Sequence, residues 1–159
     1  MITIKKSRNG CKAVVATAQH AKQLAPFLRQ HDKDELIACG FDTPEKALMK
    51  GLEIDDVTLT ALDAQGVPFA MLGVGRAPNM NYIWLLGSDG VRDNWLTFGK
   101  ASKQLLPYLI KRYGVVSNYV LAEYTTSIKW LKWLGAEFEE TPIKFSGHDF
   151  YKFNLTYPL

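Results

Sequence analysis

Residues 98–114, "FGKASKQLLPYLIKRYG", begin just before one glycine and end on another. Ala101, Leu105, Tyr108 and Leu109 recur at helical spacing, so the stretch predicts an amphipathic helix with that set on one face. Gly114 is a stop signal, and Pro107 implies a kink or a shorter helix. The flanking segments have a different period. "NYIWLLGSD" (81–89) is aromatic and β-branched at first and ends at Gly87, and "SNYVLAE" (117–123) follows the helix. Both read as strands. Strand, helix, strand in that order is a crossover unit, the connection that a parallel pair requires.

The pattern outside this unit is antiparallel. "DVTLTALDAQGVPFAMLGVG" predicts a hairpin, 57–62 and 68–74, turning at Asp63 to Gly66. Upstream, "CKAVVAT" (11–17) is a short strand, and Thr17 is an N-cap for "AQHAKQLAPFLRQHDKDELIACG". Pro26 splits that segment into two helices or kinks one, and Gly40 closes it. "DTPEKALMKGL" predicts a third helix, with Thr43 at the cap and Pro44 at its first position. Downstream, "YTTSIKWLKWLGAEF" (124–138) gives a helix over 126–134, with Ile128, Leu131 and Leu134 on one face. Two strands around Ser146-Gly147 end the chain. Hairpins combined with one crossover define a mixed α/β sheet, mostly antiparallel and flanked by helices, rather than a doubly wound parallel one. With no repeat or linker, residues 1–159 form one domain.

Composition narrows the function. The net charge of +3 is spread along the chain among acids, which argues against a nucleic-acid protein and allows a preference for an anionic ligand. Cys11 and Cys39 lie in no paired motif, and His20, His31 and His148 are scattered, so no metal site is expected. The two thiols read as reduced. No secretory signal and no membrane-spanning run is evident, which points to a soluble protein of the cytoplasm.

Two motifs carry a family resemblance. "LTFGKA" (96–101) opens the central helix, and Ser127, Leu131 and Gly135 mark the later one. Both resemble the GNAT superfamily of acyl-CoA N-acyltransferases. There a Q/R-x-x-G-x-G/A loop holds the coenzyme A pyrophosphate, and a late helix follows N-x-x-A/S-x-x-x-Y/L-x-x-x-G-F. Gly99 and Ala101 match the first pattern, while Leu96 stands at the Gln/Arg position. In the second, Tyr124 replaces the asparagine and Ala136 the phenylalanine. "WLLGSD", "SNYVLAE" and "IKWLKWLGAEF" are also similar to GNAT-related proteins of short-tailed bacteriophages, some acyltransferases and others virion components.

The resemblance implies an acetyl-CoA-dependent N-acyltransferase. Phe98, Gly99, Lys100 and Ala101 would hold the pyrophosphate, since glycine lets the backbone approach an anion and a helix start offers amides. Leu85, Leu86 and Gly87 would pair with the pantetheine arm like a strand. The base would be Glu35 or Asp89, and the group serving the leaving thiolate Tyr124 or Ser127, because Leu131 cannot donate a proton. Other roles stay open for the same residues. Arg29, Asp32 and Glu35 recur at i+3 spacing and equally fit a solvated ion network. Asp89 equally fits a turn cap, and Tyr124 a packing role. Trp130 and Trp133 share one side of their helix, which fits either a small aromatic core or a surface for a host or phage protein. The alternative function is therefore a silent GNAT-fold protein that serves in the virion or binds a host enzyme.

Overall fold

The computed structural model describes residues 10–159. β1 (Lys12–Val15), β2 (Val57–Leu62), β3 (Pro68–Arg76) and β4 (Asn81–Gly87) form an antiparallel run. β4 lies parallel to β5 (Val115–Leu121), which pairs antiparallel with β8 (His148–Thr156). β6 (Glu137–Phe138) and β7 (Ile143–Phe145) both pair with β8. The eight strands make one sheet in the order β1-β2-β3-β4-β5-β8-β6, with β7 on β8. The mixed, mostly antiparallel sheet inferred from the sequence is the sheet observed, with the two-residue β6 as an unforeseen addition.

Helices cover both faces because the strands are apolar on both. On one face lie α1 (Ala18–Leu24), a 3₁₀ turn at Ala25–Phe27, α2 (Gln30–Ala38) and α3 (Pro44–Ile54). Leu24 and Leu48 pack there against Met71 and Leu86. On the other face lie α4 (Gly90–Asp93), α5 (Trp95–Ile110) and α6 (Thr125–Leu134). Leu106, Leu109 and Ile110 pack against Val74, Ile83 and Val116. Helix starts follow local chemistry. Thr17 Oγ1 accepts from the His20 amide while His20 Nδ1 accepts from the Thr17 amide, a reciprocal cap. Thr43 caps α3, with Pro44 behind it. Pro26 does divide two helices.

Three expectations change. α5 begins at Trp95, not at Phe98, because the loop after β4 winds into α4 and hands its hydrogen bonds on: the Asn94 amide donates to Gly90 and the Phe98 amide to Asn94. The buried stripe of α5 is Ser102, Leu106, Leu109 and Ile110, while Tyr108 is 72% exposed. Apolar character alone misplaced the tyrosine, whose hydroxyl favours water. Finally, α6 buries only Leu134 fully. Trp130 packs at the core edge and Trp133 is 49% exposed. Gly135, at φ +104°, ends α6 in a conformation that side chains rarely adopt. The buried Cys11 donates its Sγ–H to Asn94 Oδ1 at 3.3 Å, and Cys39 is exposed.

Candidate active site

The site begins where the parallel pairing of β4 with β5 fails. β4 and β5 pair in register only at Tyr82 and Ser117. At the next residue a side chain replaces the ladder. Asn118 Nδ2 donates to the Ile83 carbonyl at 2.8 Å, and its Oδ1 accepts from the Tyr119 amide at 2.8 Å. This carboxamide wedge satisfies the groups that the next ladder step would have used, so the strands diverge beyond it.

Strand alternation fixes which backbone groups the gap exposes. The Ser88 amide donates to Phe69 of β3, so Leu86, Trp84 and Tyr82 also direct their backbone toward β3. Ile83, Leu85 and Gly87 direct theirs toward β5. Ile83 is held by Asn118. Gly87 is held on both sides: its amide donates to Asp32 Oδ2 at 2.9 Å, and its carbonyl accepts from the Arg29 amide at 2.9 Å. That leaves Leu85, whose amide and carbonyl point into the gap. Of the three residues expected to form an open edge, Leu86 and Gly87 therefore do not, because their backbone groups serve β3 and the Arg29–Asp32 segment.

A groove of about 1170 Å³ passes through this gap. Ile83 and Leu85 line it from one face of β4, and Tyr82, Trp84 and Leu86 from the other. On the α5–α6 side it meets Arg92, Lys100 and Lys129 with the exposed Trp95 and Leu96. Phe98 stacks on Trp130 there, with ring centroids 5.9 Å apart. Gly99 has a packing role: a Cβ at that position would lie 3.3 Å from the Trp133 ring, which Lys103 covers at 4.0 Å. Phe98, Gly99 and Lys100 line the groove. Ala101 instead borders a separate cavity of about 80 Å³ between α5 and the sheet. Because α5 starts earlier than expected, the Phe98 amide is already bonded, and the helix start lies at Trp95. Arg92, four residues before Leu96, also lines this part of the groove.

Glu35 stands on the opposite wall. Its Oε1 accepts from the Leu121 amide at 3.2 Å, which ties the carboxylate to the far end of β5. Burial pushes its pKa up to about 7, against the pull of that hydrogen bond; nearby Asp32 raises it and Arg29 lowers it. Asp32, 3% exposed, accepts from Arg29 Nε and Nη2 and from Gly87, and so fixes α2 to the end of β4. The i+3 run of the sequence is thus an ion pair with a carboxylate beside it, rather than one solvated network.

The other candidates separate. Ser127 lines the groove. Tyr124 does not; its ring lies 4.8 Å from His31, and its hydroxyl donates to Asp34 Oδ2 at 3.4 Å. Burial and then Asp34 push its pKa up to about 12. Asp89 is exposed at the start of α4 and makes no side-chain cap there. Asn118 was missed by sequence reasoning, although an asparagine inside the strand "VVSNYVL" was the available signal. Among the described residues, no group of His, Cys, Asp and Glu could hold a metal ion, and no helix is long and apolar enough to cross a membrane.

No family model and no curated protein matches the sequence. Solved structures do match the fold. An acetyltransferase of the GNAT family from Bacillus anthracis superposes with a TM-score of 0.70 at 12% identity, covering 98% of each chain. A GCN5-related N-acetyltransferase from Kribbella flavida gives 0.66 at 16% identity, over 94% of this chain and 99% of its own. The ribosomal-protein-S18-alanine N-acetyltransferase from Escherichia coli gives 0.64 at 12%, over 94% and 95%. The chain has the GNAT fold.

Proposed function

We propose that this protein is an acyl-CoA-dependent N-acyltransferase, with acetyl-CoA as the first cosubstrate to test. The observation that carries the proposal is the pairing of an open Leu85 backbone edge with the half-buried Glu35 carboxylate in one groove through the sheet. The residues present fit coenzyme A. Leu85 offers a donor and an acceptor for an extended amide chain, and Arg92, Lys100 and Lys129 offer charge for phosphates at the mouth. The cosubstrate would supply a thioester carbonyl to the acceptor amine and a thiolate as leaving group. Glu35, titrating near neutrality, takes a proton from the acceptor ammonium. Among the hydroxyls that line the groove, which include those of Thr126 and Tyr119, Ser127 is our candidate to serve the leaving group; Tyr124 is engaged with Asp34.

The sequence resemblance to short-tailed phage proteins supports a phage origin, with a host or viral amine as acceptor in the host cytoplasm. A second reading, a silent scaffold for a host or phage protein, is favoured by the half-exposed Trp133 beside Gly99. Titration calorimetry with acetyl-CoA tests the first. Micromolar affinity supports it, and no binding to folded protein leaves the second.

A further inference from the structure

The groove has two mouths of opposite character. Arg92, Lys100 and Lys129 line the α5–α6 side. The α2–α3 side carries three carboxylates, Asp32, Glu35 and Asp55, of which Asp55 takes no part in the chemistry above. Asp55 Oδ1 accepts from the Tyr82 hydroxyl at 2.5 Å. Its Oδ2 accepts from Trp84 Nε1 at 2.8 Å and from Thr58 Oγ1 at 3.3 Å. All three donors are neutral, and no ion pair reaches Asp55 among the described residues. The basic groups on this side have other neighbours: Arg29 pairs with Asp32, His31 Nε2 lies 3.3 Å from Asp32 Oδ1, and Lys50 lies 3.9 Å from Glu53.

The arrangement is built into the backbone. Gly73 lies under the Asp55 carboxylate and the Trp84 nitrogen, where any Cβ would collide with both. Gly75 makes the same space for the Tyr82 hydroxyl, and Gly51 for the edge of the Trp84 ring. Three glycines thus let an indole and a phenol converge on one half-buried carboxylate that faces the groove. A carboxylate taken from water without a counter-ion is costly. The hydrogen bonds turn the hydroxyl of Tyr82 and the indole N–H edge of Trp84 to the carboxylate, so its negative charge is what draws a cation to this mouth. Such a cage takes an ammonium or guanidinium and is unsuited to an anion.

We propose that the acceptor is a dication: a primary amine that reacts beside Glu35 while a second cationic group, on an apolar linker, sits in the Asp55–Tyr82–Trp84 cage. This rests on the N-acyltransferase reading for the reacting end, whereas the cage itself is a binding site with its own test. Ile54 and Phe41, which also line this mouth, suit the linker. A monoamine of equal length would leave the cage unfilled.

The test is calorimetric titration of 1,4-diaminobutane and 1,6-diaminohexane against butylamine and hexylamine, each with the intact protein. At least one diamine is expected to bind tenfold or more tightly than its monoamine. Asp55→Asn should remove that preference while acetyl-CoA affinity stays unchanged. Trp84→Leu is the second variant and should reduce the preference. Equal affinities for the wild-type protein, or no amine binding, overturn the proposal, as does a preference that survives in folded Asp55→Asn. Acetyl transfer is measured in parallel. Transfer to monoamines and diamines alike sinks the dication while the acyltransferase stands. Diamine binding without transfer keeps the cage and removes the acyltransferase.

Discussion

Replacing Glu35 with glutamine should move activity and stability in opposite directions. The folded protein holds this carboxyl with a pKa of about 7, against 4.5 as the ordinary value. The folded state therefore binds the proton more tightly than the unfolded state. The favourable contribution is fully present below pH 4.5 and is lost as pH rises toward 7, after which it stays lost. At about 1.4 kcal/mol per pKa unit, the rise from 4.5 to about 7 costs at most about 3.5 kcal/mol at pH 8. Glutamine is neutral at every pH and can still accept the Leu121 amide. Glu35→Gln should thus raise the melting temperature at pH 8 by several degrees and leave it unchanged near pH 4. Activity should fall by roughly 10²- to 10⁴-fold, the usual worth of a general base. The wild-type rate should rise about tenfold between pH 6 and pH 8, the two sides of a pKa near 7, and the variant should lose that rise. Thermal melts at both pH values and initial rates across the range make the measurement. A variant with wild-type rates and an unchanged pH profile would refute Glu35 as the base. A melting temperature that falls at pH 8 would refute its desolvation.

Other substitutions test the frame around it. Asn118→Ala removes the wedge and leaves the Ile83 carbonyl and Tyr119 amide without their partner, which should cost about 1–3 kcal/mol by urea denaturation and weaken acetyl-CoA binding. Asp32→Ala strands Arg29 and frees the Gly87 amide; a loss of about 3 kcal/mol is expected, and a loss below about 1 kcal/mol would show that α2 does not depend on this anchor. Gly99→Glu crowds Trp133 and sets a negative charge beside Lys100, so acetyl-CoA affinity should drop at least tenfold, read by calorimetry, while circular dichroism keeps the native signature. Gly135→Ala forces a side chain into a left-handed helix cap and should destabilise by about 1–2 kcal/mol, read from the denaturation midpoint.

What the sequence determined was local. Thr17, Thr43 and Pro44 mark helix starts because caps and first positions act within one turn. Gly135 ends α6 because one residue must take positive φ. The period-two hairpin and the helical stripe before Gly114 place the elements, and their order yields the mixed sheet. Glu35 and Leu85 could be named as candidates from position and resemblance. Tertiary structure alone decided the rest. The start of α5 depended on a hydrogen-bond relay through Asn94 that no window of apolar residues reveals. Gly87 lost its open edge to Asp32, 55 residues away, and Glu35 acquired its near-neutral pKa only where α2 meets the end of β5. Asp55 acquired its phenol and indole donors only when β4 brought Tyr82 and Trp84 across the space that Gly73 of β3 leaves open. Propensity and capping are short-range and can be read along a chain. Desolvation and partner choice depend on which distant groups the fold brings within a few ångströms.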